Sequence, residues 1–100
     1  MDKFLNFLGL TKRAGKLLEG YNKCEEEMKR SKIYLFIFSN SISNRSKDKF
    51  VKYCQQYDIP YIDNFSKEEL GYSIGRCEIN ILGVTDENMA EKLLSYSNNN

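Results

Sequence analysis

The sequence predicts an α/β sandwich with helices on both faces of a mixed sheet of about four strands. Three observations predict it. Stretches of helical apolar spacing alternate with short β-rich runs, the loops between them are brief, and the longest apolar run, Ile33–Phe38, reads as a central strand covered on both faces. One hundred residues are enough for a single compact domain that needs no cross-links.

Phe4, Leu5, Phe7, Leu8 and Leu10 recur at helical spacing and predict a first helix over about residues 2–14, with Gly15 where a C-cap would stand. Lys16–Gly20 reads as a short strand. Tyr21, Cys24 and Met28 fall at i, i+3 and i+7 and predict a second helix over about 21–31. Ile33–Phe38 follows as the central strand. Ser39–Ser46, rich in Ser and Asn, is a loop. Phe50, Val51, Cys54 and Tyr57 mark a third helix over about 46–57. Ile59–Ile62 is a short strand, and Pro60 puts it at a strand's beginning or a sheet edge, because proline cannot donate to a ladder. Ser66 and Glu69 form a capping box that starts a short helix ending near Gly75. Ile79–Val84 is the last strand. Asp86 begins a final helix with Met89, Ala90, Leu93 and Leu94 facing inward. Residues 1–96 are expected to form one domain, fraying from Ser95 into a polar tail at 97–100.

Several function classes are disfavoured. The longest apolar run is far short of the ~20 residues that span a bilayer, and Met1-Asp2-Lys3-Phe4 does not open a secretory signal. A cytoplasmic protein with no membrane partner is expected. Cys24, Cys54 and Cys77 are odd in number, far apart and unaccompanied by histidine, so the usual zinc frameworks are absent and buried free thiols are expected. No metal or other cofactor is predicted. Without histidine the Ser-His and Cys-His nucleophile arrangements cannot be built. Glu25-Glu26-Glu27 and Glu68-Glu69 read as solvated helix faces, because consecutive helical residues point in different directions. Gly15-Lys16 fails as a phosphate-binding P-loop: five residues separate it from Gly9, and Leu17 stands where a metal-binding hydroxyl is needed. The chain reads as not an enzyme.

Charge is divided unevenly. Residues 1–52 hold twelve Lys and Arg against six Asp and Glu, and residues 53–100 hold three against eight. A basic half of this kind suits a polyanion. Its most informative stretch runs from Leu8 to Gly20, with Asn22 just beyond. Lys12, Arg13 and Lys16 precede a glycine turn into a predicted helix N-terminus, where free amides and the positive dipole end suit phosphate oxygens. Asn22 there either caps the helix or hydrogen-bonds a base edge.

The ordered set Leu8–Gly20, Ile59-Pro60-Tyr61 and Ser66-Lys67-Glu68-Glu69-Leu70-Gly71 resembles the ribosomal L-seven-Ae superfamily, over about residues 3–95. It is most similar to the small bacterial YlxQ-like members. The resemblance implies a three-layer α/β/α fold and a non-catalytic RNA-binding role, with ribosomal or other structured, kink-turn-like RNA as partner. It also implies a binding surface that joins the end of the first strand and the start of the second helix to the loop before the last strand. Of the family signature Gly-x-Asn-Glu-x-x-Lys, this chain keeps Gly20 and Asn22 but has Lys23 for the Glu and Glu26 for the Lys. An ammonium cannot accept a hydrogen bond from a guanine edge, and Glu26 repels phosphate, so selectivity for a standard kink-turn should fall. Lys12, Arg13, Lys16 and Lys23 would still supply phosphate contacts. The second contact loop maps to Gly75, Arg76 and Cys77, where Arg76 would stack on a base or bind phosphate and Gly75 would admit the backbone. On charge alone, Arg45 and Lys47 in the loop after the central strand would extend the patch. The alternative is a protein-interaction module of the same fold, acting on the ribosome or another protein partner, for which seven tyrosines and the acidic second half offer contact surface.

Overall fold

The computed structural model describes residues 2–97 and contains α1 (Lys3–Arg13), β1 (Leu17–Glu19), α2 (Tyr21–Glu27), β2 (Leu35–Ser39), α3 (Asn44–Tyr57), β3 (Tyr61–Phe65), α4 (Lys67–Ser73), β4 (Ile81–Val84) and α5 (Glu87–Ser97). The helix starts are set by side-chain caps, which satisfy amides that have no partner within the helix. Asp2 accepts from the Leu5 amide, Ser43 from Ser46 and Asp86 from Met89. Ser66 and Glu69 form the full reciprocal capping box.

The four strands lie in the order β1-β4-β2-β3. β4 is antiparallel to both its neighbours, and β2 is parallel to β3, so the sheet is mixed. Strand side chains alternate between faces. Leu35 and Ile37 of β2, with Leu82 and Val84 of β4, pack under α1, α4 and α5. Phe36 and Phe38, with Ile81, pack on the other side against Cys24 of α2 and Phe50 and Cys54 of α3. This is the three-layer α/β/α arrangement. All five β2 residues are buried. The second core is strongly aromatic, with the Phe36 and Phe50 ring centroids 5.5 Å apart; losing such a ring costs about 3–5 kcal/mol.

The register decides what meets at the sheet's end. Glu19 pairs with Leu82, and Phe38 pairs with Ile81. The end of β1, the end of β2 and the beginning of β4 therefore share one edge of the layer, and the turn into α2, the loop into α3 and the loop after α4 gather there.

Several elements differ from the sequence expectation. α2 stops at Glu27 rather than near residue 31, because Arg30 and Ser31 donate their amides to the Glu27 carbonyl and turn the chain toward β2. β2 begins at Leu35, and Ile33 is buried ahead of it. α3 begins at Asn44, so Arg45 and Lys47 lie in its first turn and not in a loop. β3 occupies Tyr61–Phe65 at a sheet edge, starting just after Pro60, in keeping with that residue's missing N–H. β4 starts at Ile81, two residues later than expected. α5 continues through Ser95 to Ser97, so the expected fraying begins no earlier than that; residues 98–100 of the expected tail lie outside the described residues. Cys24 and Cys54 are buried free thiols as expected, but Cys77 is exposed.

Candidate nucleic-acid interface

Gly20 makes the turn from β1 into α2. Its φ of +96° is a backbone conformation that residues other than glycine rarely adopt. Its amide donates to the Ile81 carbonyl at 2.9 Å and its carbonyl accepts from Cys24, so the turn is tied to β4 and to the helix it starts. Asn22 is exposed in the first turn of α2. It does not cap the helix: Gly20 holds the N-cap position, with no side-chain cap bond. α2 is held down by an ion pair from Glu25 to Lys49 and by Tyr21, which meets the Phe50 ring edge-on at 5.2 Å.

The loop after α4 is strapped across that helix. Arg76 donates its amide to the Gly71 carbonyl at 2.8 Å, and Ile79 donates to the Lys67 carbonyl at 3.0 Å. The strap needs glycine at 71, since a Cβ there would lie 2.5 Å from the Glu78 Cα. Gly75 sits at φ +82° with open space around it, so its backbone conformation rather than packing calls for glycine.

So held, the loop delivers Arg76 to the end of β1. The Arg76 Nε donates to Glu19 Oε1 at 2.6 Å, while the Lys12 ammonium, from the last turn of α1, donates to Glu19 Oε2. The Glu19 side chain is only 14% exposed, against 52% for Arg76 and 40% for Lys12. Partial burial pushes the Glu19 carboxyl up, but the hydrogen bonds and charges of Lys12 and Arg76 outweigh it and hold the group below its ordinary range. One carboxylate thus orients two cations and neutralises only one of them.

The other predicted residues are not all gathered here. Lys16 is exposed at the opposite end of β1, roughly 13 Å from Gly20 at the usual strand rise. Arg13 is exposed, but its guanidinium lies back along α1 over Gly9 rather than toward Asn22. Lys23 pairs with Glu27 at 3.8 Å and Glu26 with Arg30, just past the end of α2, at 3.9 Å, so both signature positions of reversed charge find partners close by in sequence. Cys77 is exposed beside Arg76. Lys47 is paired with Asp63 of β3, which directs it away from this edge. Among the described residues no group of His, Cys, Asp or Glu side chains is arranged to hold a metal ion, and no helix is long and apolar enough to cross a membrane.

Two features were not read from the sequence. Glu19 is the first; its only local signal is its place directly before Gly20. The second is a cleft of about 460 Å³ next to the Gly20 turn, lined by Tyr21, Ser43, Ser46 and Asn80 among others. Asn80 is fixed there by the buried Ser39, whose hydroxyl donates to Asn80 Oδ1 at 2.6 Å.

Comparison with known proteins agrees with this fold. The model of the Ribosomal protein L7Ae/L30e/S12e/Gadd45 family matches residues 2–94. The RNA-binding protein YlxQ of Bacillus subtilis (strain 168) is 32% identical over 88 residues, which is 88% of either chain. A protein of the same name from Enterococcus faecium is 29% identical, over 91% of this chain and 87% of its own. Among solved structures, a protein of unknown function from Bacillus halodurans C superposes with a TM-score of 0.90 at 30% identity, covering 96% of this chain and 97% of its own. The Giardia lamblia 15.5kD RNA binding protein shares the fold, with a TM-score of 0.75 at 16% identity over 91% of this chain and 81% of its own.

Proposed function

The chain belongs to the Ribosomal protein L7Ae/L30e/S12e/Gadd45 family, and from that premise we propose that it is a non-catalytic, cytoplasmic protein that binds structured, kink-turn-like RNA, ribosomal RNA included. The observation that carries the reading is the convergence on Glu19 of Lys12 and Arg76, side chains from segments far apart in sequence, beside Gly20 and Asn22. Two oriented cations and an exposed amide at the edge of a rigid sheet match what structured RNA presents, namely closely spaced phosphates and splayed bases.

In this reading Arg76 and Lys12 hold the backbone and Asn22 reads a base edge. Gly20 and Gly75 let the RNA approach the main chain, and Cys77 lies within the contact. Arg13, Lys16 and Lys23 add longer-range attraction. Lys23 offers no acceptor to a guanine, so base selectivity departs from that of a chain with Glu at this position. The names of the Bacillus subtilis and Enterococcus faecium relatives support RNA as the ligand.

A nuclease-controlled pull-down from a bacterial lysate tests the class of partner. Recovered material should be RNA and should vanish on ribonuclease treatment. Protein partners retained after that treatment would favour the interaction-module reading instead.

A further inference from the structure

We propose that the groove between α1 and α4 is a second contact for RNA, receiving one unpaired base that carries an exocyclic amine. The inference rests on the RNA-binding reading and extends it to a groove from which that reading takes only the long-range attraction of Arg13. The groove encloses about 450 Å³ and is lined by Leu5, Asn6, Gly9, Arg13, Glu69 and Tyr72, with Ser73 at its end.

Its chemistry is that of a base-stacking site. Tyr72 is 70% exposed, the most exposed large hydrophobic residue among those described. The Arg13 guanidinium lies low in the groove, 3.7 Å from where a Cβ on Gly9 would be. Among the described residues Arg13 has no carboxylate within ion-pair distance, unlike Lys12 beside it in sequence. An aromatic ring and a free guanidinium plane on one apolar floor suit a nucleobase, which stacks on both. Glu69 decides the kind of base. Its Oε1 already accepts from the Ser66 amide at 2.9 Å, and its other oxygen would accept from an incoming donor. That negative charge repels a phosphate in the groove itself and accepts from the amine of adenine, cytosine or guanine.

Position supports the same occupant. Tyr72 is in the last turn of α4, and the chain passes through Gly75 directly to Arg76. Arg13 follows Lys12 on α1, so each wall of the groove adjoins one of the two cations bound to Glu19. A strand held by Lys12 and Arg76 therefore passes the mouth of the groove.

The test is a pair of NMR titrations of the full-length, nitrogen-labelled chain at low salt, one with adenosine monophosphate and one with a kink-turn hairpin. Adenosine monophosphate should shift the amides of Gly9, Arg13, Tyr72 and Ser73. Tyr72→Ala should weaken that binding about tenfold, and Tyr72→Phe should restore it. Hairpin shifts at Gly20, Asn22 and Arg76 with no response of the groove to the nucleotide would overturn the groove proposal and leave the RNA reading standing. A groove that binds the nucleotide in a chain that ignores the hairpin would make it a free-nucleotide site, overturning the proposed occupant. Silence in both titrations would remove the RNA reading and this proposal together.

Discussion

Arg76 and Glu19, fifty-seven residues apart, meet in a 2.6 Å hydrogen bond that ties the loop before β4 to the end of β1. Lys12 holds the other carboxylate oxygen. The two halves of the proposed binding surface are thereby a single electrostatic unit, oriented without a ligand. Preorganised charge of this kind gains affinity because less side-chain freedom is left to lose on binding.

Glu19→Gln keeps an acceptor for Arg76 but removes the charge that competes with phosphate. The variant should bind plain duplex more tightly, prefer a kink-turn over a duplex less, and show a log–log salt slope steeper by about one unit. Anisotropy across a salt series reads all three; an unchanged slope would mean that the two cations do not reach phosphate.

The same carboxylate makes stability depend on pH. Its folded pKa lies below the ordinary value of 4.5, so its stabilising contribution is complete above that value and is lost as pH falls through the lower folded one. With both cations substantially exposed, the contribution should be under about 1 kcal/mol. Urea unfolding should therefore find Glu19→Gln slightly less stable than the native chain at neutral pH, with the difference shrinking as the pH falls below 4.5. A difference that grew on acidification would contradict this assignment.

Gly71→Ala should be the most damaging small substitution on this face. A methyl group 2.5 Å from the Glu78 Cα cannot be accommodated unless the strap that carries Arg76 moves. We expect a loss of about 1–3 kcal/mol, each kcal/mol lowering Tm by roughly 4–8 °C. Weakened RNA binding should accompany it, and calorimetry with anisotropy on the same sample checks both.

The thiols should divide two to one. Burial pushes Cys24 up to about 12 and Cys54 up to about 11, while Cys77 is exposed in its loop. An aromatic disulfide reagent at neutral pH should titrate a single fast thiol per folded chain, absent in Cys77→Ser, and all three cysteines only after unfolding. Bound RNA should slow that fast thiol.

The parts legible in the sequence are those fixed by local chemistry. The apolar run that became β2 could only be a covered strand, and the reciprocal bonds of Ser66 and Glu69 involve residues three apart. Pro60 announced a strand start or an edge, and β3 begins just after it at the sheet's edge. The end of α2 was not legible, because the turn at Arg30 and Ser31 answers to the route the chain takes into β2 rather than to any breaker residue. Cys77 was grouped with the buried thiols because cysteines are commonly buried, yet it lies in a loop with no apolar periodicity to place it.

The candidate site was half legible. Gly20, Asn22, Gly75 and Arg76 were read from sequence, and the fold brings them to one edge. The hub was missed, because a glutamate before a glycine says nothing of an arginine far down the chain. The fold also spreads part of the expected patch apart: Lys16 is separated by the length of β1, and Lys47 is committed to Asp63. The shortening of α2 to seven residues shifts weight from the helix terminus to the side-chain cations.

The most direct test of the central claim is fluorescence anisotropy of a labelled kink-turn RNA and a plain duplex of equal length, at two salt concentrations, with the native chain, Asn22→Ala and Arg76→Gln. The native chain should bind the kink-turn more tightly than the duplex. Asn22→Ala should reduce that preference by about 1–3 kcal/mol, and Arg76→Gln should weaken both RNAs and lower the salt slope by about one unit. Equal affinity for the two RNAs, unmoved by either substitution, would contradict it.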